Sequence, residues 1–303
     1  MGGVVASPWF SRPPHDWAVL PRHELAKVAA DRIVAALGAA VARRGRAVFA
    51  PSAGRTPLPA YALLRAAHRR SLDWSRVVCV QMDEYEGVGD RDPRGFAAAL
   101  RRELVEPLGI GRFHGFNDGD GRLRCSLDAF ERAVRAMGGI DCAVQGIGRN
   151  GHVAFNEPGD RRGAATRRVR LAPCTRKANG VLFTDGVTLG LDVLAEARET
   201  LVLMTGAAKR DAAASVLFRA AGAANPAAAL RHCGRVTVLL DPEAAPVRLL
   251  ERARPAGDAD RPAATVLPLP GAKRPPRPHG DEGSTVPPAR PLGHAPDLIE
   301  RGP

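Results

Sequence analysis

The chain has 303 residues, 45% hydrophobic and 5% aromatic, which is enough to bury a substantial core in one large domain or two small ones. No apolar run reaches the roughly 20 residues of a membrane span, and the opening MGGVVASPWFSRPPHDW lacks the regions of a secretory signal. A membrane partner is therefore not expected, and a cytoplasmic location is. The formal charge of +12 comes from 44 basic residues of which only Lys27, Lys177, Lys209 and Lys273 are lysines; with no basic cluster interleaved with aromatics, nucleic acid is not an expected partner.

Taken in chain order, residues 22–43 repeat apolar positions at spacings of three and four, predicting a long amphipathic helix. RAVFAP (46–51) reads as a short buried strand, the small-residue loop SAGRTP follows, and 58–67 reads as a helix with proline in its first turn. RVVCVQMDEY (76–85) is predicted as one strand, PRGFAAALRRELVEPL and LDAFERAVRAMGG as helices, and IDCAVQGIG as the next strand. RRVRLA, ETLVLMTG and RVTVLLD are further predicted strands, with a helix over AAKRDAAASVLFRAA. Near-continuous apolar strands between helices predict a three-layer α/β/α sandwich on a mostly parallel, Rossmann-like sheet. Residues 252–303 hold 12 of the 26 prolines with no apolar period and read as a disordered tail; the expected division is a flexible segment 1–14, a folded domain 15–251 and that tail.

Ligands of such sheets bind outside the carboxyl ends of the strands, which singles out four loops. Ser52, Ala53, Gly54, Arg55 and Thr56 lie between a strand and a helix, where backbone amides and hydroxyls can cradle an anion; an ordinary turn is the alternative. In MDEY, Asp83 and Glu84 place two carboxylates side by side, an arrangement that raises the pKa of one and suits proton transfer beside a carbonyl; capping of the next turn is the alternative. In GIGRNGHVAFNEPG, glycines precede His152, and Glu157 follows five residues later with Asn150 and Asn156 as hydrogen-bonding neighbours, a setting for an acid/base histidine. Lys209 in TGAAKRD and Arg176 in PCTRKANG are cations able to hold a phosphate. The five cysteines are widely spaced with no CxxC pair, so neither a disulfide framework nor a metal site is expected, and Cys79 and Cys142 read as small core residues.

In this order, the SAGRTP loop, MDEY, GIGRNGHVAFNEPG and TGAAKRD resemble the glucosamine-6-phosphate deaminase/isomerase family over residues 20–250. The related 6-phosphogluconolactonases share the fold and the glycine–histidine loop and typically lack MDEY and FNEPG. The resemblance implies conversion of glucosamine 6-phosphate, or a close hexosamine phosphate, to fructose 6-phosphate and ammonia, with no metal or organic cofactor. It assigns proton transfer between C2 and C1 to Asp83 and ring opening to His152. Glu157 falls at the carboxylate that orients this histidine, Asn150 at a position where some members carry Asp, and the 52–56 loop, Arg176 and Lys209 at phosphate-binding positions. A lactonase-like or other sugar-phosphate isomerase, or a non-catalytic sugar-phosphate sensor, is the alternative implied by the same fold. Three departures stand out: Ala53–Gly54 replaces two adjacent glycines, the His-Pro-Glu-Ser pattern after MDEY is absent, and the segment after TRKANG is shorter than in the family.

Overall fold

The structure is a computed structural model describing residues 16–160, 164–252 and 267–268. All of these fall in the first of two units, 1–272. The segment 1–14, and the expected tail beyond 252 apart from Leu267 and Pro268, lie outside the described residues.

Strand β1 (Asp16–Val19) leads into α1 (Arg22–Arg44), β2 (Ala47–Pro51), α2 (Leu58–Ala67), β3 (Val77–Val80) and β4 (Asp83–Tyr85). Helix α3 (Phe96–Leu100) continues through a π-helical stretch, Arg101–Val105, into α4 (Glu106–Leu108). Then come β5 (Arg112–His114), α5 (Leu127–Ala136), β6 (Cys142–Gly146), β7 (Arg167–Arg170), α6 (Pro173–Asn179) and β8 (Asp185–Thr188). The chain continues through α7 (Leu191–Ala195), β9 (Glu199–Met204), α8 (Arg210–Phe218), β10 (Arg235–Leu240), α9 (Val247–Arg252) and β11 (Leu267–Pro268).

The main sheet has the order β11-β1-β10-β9-β6-β2-β3-β5, and every pairing is parallel except that of the short β11 with β1. Alternation along each strand divides the core between the two faces of this sheet. Val48 and Ala50 pack with Val80, Met82, Val202 and Val238 on one side, whereas Ala47 and Phe49 pack with Cys79, Val144 and α1 on the other. Helix α1 fits its face because its buried residues, Leu25, Ala29, Ile33, Leu37 and Ala40, recur at three and four and are small enough for close approach to the sheet. Gly45, at φ 75°, ends it by donating its N–H to the Val41 carbonyl. Cys79, Cys142 and Cys233 are buried core residues, and none of the five cysteines is bridged. Among the described residues no helix is long and apolar enough to cross a membrane.

The predicted strand 76–85 is in fact two. β3 stops at Val80, and Asp83–Tyr85 belongs to a separate three-stranded antiparallel sheet, β4-β8-β7. The break has a local cause. Buried Gln81 uses its side-chain carbonyl on the Phe116 N–H and its amide on Glu84, so the chain leaves the parallel ladder where its side chains become polar. The Met82 carbonyl then accepts the Leu189 N–H just beyond β8. The helix predicted over 207–221 is also divided, into a 3-10 turn Ala207–Lys209 followed by α8.

Candidate active site

β2, β6 and β9 are neighbours in the main sheet, and their carboxyl ends carry three of the four singled-out loops side by side. After β2, the Ser52 N–H binds the Val144 carbonyl at 2.9 Å, and Tyr61 on α2 donates its hydroxyl hydrogen to the Ser52 carbonyl at 2.9 Å. The loop is thus pinned from below, while Gly54 and Arg55 are exposed. Ala154 is the one non-glycine residue at positive φ among the described residues, so Ala53 takes ordinary backbone geometry and no second glycine is needed there. Among the described residues the buried Ser52 hydroxyl has no hydrogen-bond partner, and neither has Nε of Arg176 on α6. Leaving a buried polar group unpaired costs about 1–3 kcal/mol, which a bound anion would recover.

After β6, Gly151 (φ 90°) returns its N–H to the Gly148 carbonyl at 3.0 Å, and the Gly148 N–H binds the His152 carbonyl at 2.9 Å. A Cβ at position 148 would collide with the His152 imidazole, so glycine there is what lets the ring lie flat against the backbone. His152 Nδ1 lies 3.6 Å from a Glu157 oxygen. Asn150 accepts the His152 N–H on its carbonyl oxygen at 3.2 Å and donates its amide to the other Glu157 oxygen at 2.7 Å. Burial raises the Glu157 carboxyl, but the long contact with His152 and the hydrogen bonds from Thr175 and Asn150 together outweigh it and hold the group below the usual glutamate value.

The small sheet braces this loop. Thr188 of β8 accepts the Phe155 N–H on its hydroxyl at 3.2 Å, and the buried Asn156 amide donates to the Val153 and Leu189 carbonyls at 3.1 and 2.9 Å. Arg167 of β7 donates to the Asn156 side-chain oxygen at 2.8 Å and to Asp160 at 2.8 Å. Asp83 pairs with Thr188 in register, one strand away from the same loop. Its carboxyl is half-buried and has no hydrogen-bond partner among the described residues; burial, and after it the neighbouring Glu84, pushes it up to about 8. Glu84 has the opposite environment. It is fully buried and accepts the N–H groups of Tyr85, Phe96 and Ala97 and the Gln81 amide, so it anchors the first turn of α3. The two acidic residues of MDEY thus divide between the two readings the sequence left open: Glu84 caps, and Asp83 stands free.

After β9, Lys209 donates to the Ile147 carbonyl, joining this turn to the glycine-rich loop. Burial, and then the charge of Arg149, lowers its amine below the usual lysine value. Asp241, buried at the end of β10, shapes the turn by accepting the Gly206 N–H at 2.9 and 3.0 Å, the Ala244 N–H at 2.8 Å and Arg22 Nε at 2.8 Å.

Sequence reasoning missed Arg149, Asp241 and Thr175. Thr175 is buried, donates its hydroxyl hydrogen to Glu157 and lies 3.3 Å from His152 Nδ1. It stands next to Arg176 in PCTRKANG, a segment read for its cation and not for its hydroxyl.

The sequence profile of the family described as Glucosamine-6-phosphate isomerases/6-phosphogluconolactonase matches residues 21–239. A glucosamine-6-phosphate deaminase of Streptomyces avermitilis is 34% identical over 233 residues, spanning 73% of this chain and 88% of that protein. One from Streptomyces coelicolor is 34% identical over 232 residues, spanning 73% and 88%. Among solved structures, a monomeric glucosamine-6-phosphate deaminase superposes with a TM-score of 0.66 at 27% identity, covering 74% of this chain and 95% of that one. A 6-phosphogluconolactonase from Trypanosoma brucei superposes with a TM-score of 0.65 at 22% identity, covering 77% and 98%, a likeness of fold.

Proposed function

The chain belongs to the glucosamine-6-phosphate isomerase/6-phosphogluconolactonase family, and we propose that it is an aminosugar-phosphate deaminase whose catalytic domain is residues 15–251. The substrate is glucosamine 6-phosphate or a close hexosamine phosphate, and with one water it yields the ketose phosphate and ammonia. The observation that carries this reading is the placement of two unlike carboxyl groups about one loop: Asp83, without a hydrogen-bond partner among the described residues and raised to about 8, stands one strand from the loop on which Glu157, held low, faces His152. Such splitting separates a proton carrier from a permanent charge.

Glu157 stays ionised and orients His152, which moves the proton of the anomeric hydroxyl to the ring oxygen and opens the sugar. Asp83 takes the C2 proton and returns it to C1 through an enolamine. The C2 imine that results is hydrolysed to the ketone, releasing ammonia. A carboxyl with a value near the working pH both accepts and returns a proton efficiently. Ser52, Ala53, Gly54, Arg55 and Thr56, together with Arg176 and Lys209, hold the phosphate; the unpaired Ser52 hydroxyl and Arg176 Nε support that role. We place the reaction in the cytoplasm, consistent with five unbridged cysteines.

Purified protein should release ammonia and a ketose phosphate from glucosamine 6-phosphate or another hexosamine phosphate. Clear hydrolysis of 6-phosphogluconolactone with no turnover of any hexosamine phosphate would overturn this reading in favour of the lactonase branch.

A further inference from the structure

The imidazole of His152 and the carboxylate of Glu157 make only a long contact. Their separation of 3.6 Å exceeds a good hydrogen bond, and the hydroxyl of Thr175 stands closer to the ring, 3.3 Å from Nδ1. That hydroxyl belongs to α6, on a different segment from the glycine–histidine loop, and its residue is 2% exposed. Helix α6 is fixed against the site from two further directions: Asn179 donates to the Tyr85 hydroxyl at 3.0 Å, and Cys174 Sγ accepts from the Asn150 amide at 3.6 Å.

A proton count fixes the direction of the chain of contacts. A hydroxyl has one hydrogen, and Thr175 gives it to Glu157, whose ionised oxygens only accept. Toward His152 the same oxygen can therefore only accept, so Nδ1 must carry a hydrogen. The second Glu157 oxygen is already occupied by the Asn150 amide. We propose that Thr175 is a positioning residue of the ring-opening step: its hydroxyl, in contact with both His152 Nδ1 and a Glu157 oxygen, holds the neutral imidazole as the tautomer protonated at Nδ1 and leaves Nε2 bare to exchange the sugar proton. Its importance for catalysis rests on the deaminase reading above, whereas the tautomer it imposes does not.

The test uses the full chain and three variants. Thr175→Val removes the hydroxyl at nearly constant shape, Thr175→Ala removes it with less bulk, and Thr175→Ser restores it. Loss of a hydrogen bond to a charged network lowers rates about tenfold to a hundredfold. The Val and Ala variants should therefore lose that much kcat with KM for the hexosamine phosphate within about twofold, because the hydroxyl acts on the histidine and not on bound phosphate. The Ser variant should recover most of the loss. A readout independent of turnover is the long-range proton–nitrogen NMR spectrum of the histidine side chains. Neutral His152 in the wild-type protein should be protonated at Nδ1, and in the hydroxyl-free variants it should populate both tautomers.

A wild-type His152 protonated at Nε2, an unchanged kcat in a folded Val or Ala variant, or a Ser variant as impaired as Val would each overturn the proposal. If Val and Ala fail to fold, the wild-type tautomer and the Ser variant still decide it. A wild-type protein inactive on every hexosamine phosphate but showing the expected tautomer would sink the deaminase reading, and with it the catalytic role, and leave the tautomer imposed by Thr175 intact.

Discussion

The two sheets contribute to the site in different ways. The main sheet is apolar and almost wholly parallel, and it delivers Ser52, His152 and Lys209 on loops leaving three adjacent strands, β2, β6 and β9. The small sheet has three antiparallel strands of three or four residues, one of them reading Arg-Arg-Val-Arg. It presents Asp83 and, through Thr188, Asn156 and Arg167, clamps the loop that carries His152 and Glu157. The first is held by burial of apolar side chains; the second is held by polar contacts that tie specific side chains together. On the reading proposed above, the main sheet carries the Ser52 and Lys209 phosphate loops and the His152 loop, whereas the small sheet presents Asp83 and fixes the His152 loop in place.

The sharpest way to break this division is Asp83→Asn. On the deaminase reading turnover should fall by about 10³-fold or more, since an amide cannot accept the C2 proton, while the protein stays folded. Stability should move the other way. A carboxyl raised from 3.8 to about 8 keeps a proton in the folded state that the unfolded chain releases, so stability is fully present at low pH and is lost as pH rises across that range. Asn is neutral throughout, and the variant should melt above wild type at pH 8 by at least about 2–4 °C, for about 1 kcal/mol, with the difference gone near pH 4. Scanning calorimetry at the two pH values checks this.

On the other layer, Lys209→Ala should raise KM for the phosphorylated sugar about tenfold to a hundredfold with kcat nearly kept, as expected for a contact present in ground and transition states alike. Steady-state kinetics that show a pure kcat defect would move Lys209 into the chemistry. A smaller effect is expected at Glu84. Because its charge adds to the raised value of Asp83, Glu84→Gln should move the acid limb of the kcat/KM profile to lower pH. An unmoved limb would mean that burial alone sets Asp83.

The smallest effect contrasts the layers directly. Ala154 sits at φ 48° in the clamped loop, where glycine is the relaxed choice. Ala154→Gly should leave stability unchanged or raise it by about 1 kcal/mol, whereas Ala29→Gly, buried in α1, should lower it by at least about 1 kcal/mol. Chemical denaturation of the two variants gives both numbers.

The same contrast explains what could be read from the sequence. The strands and helices of the main layer announce themselves by apolar runs and three-four spacing, and β2, β6, β9, β10 and α1 lie within a residue or two of their predicted places. The small sheet was legible only at β7. β8 has no apolar run, and β4 continues β3 without a break in pattern; it separates because Gln81 and Glu84 satisfy each other and the start of α3, a tertiary fact. His152, Glu157 and Asn150 were legible together because they share one glycine-rich loop. Thr175 was not, because nothing in its own neighbourhood shows that α6 will fold back against them.

The central claim is that Asp83 and His152 transfer different protons. It is tested most directly by supplying open-chain ketose phosphate with ammonium in deuterated water and following exchange at C1 in Asp83→Asn and His152→Gln. The ring-opening step is bypassed in that direction, so His152→Gln should exchange at a rate much nearer wild type than its forward turnover, and Asp83→Asn should not exchange at all. Equal defects of the two variants in forward turnover and in exchange would contradict the claim.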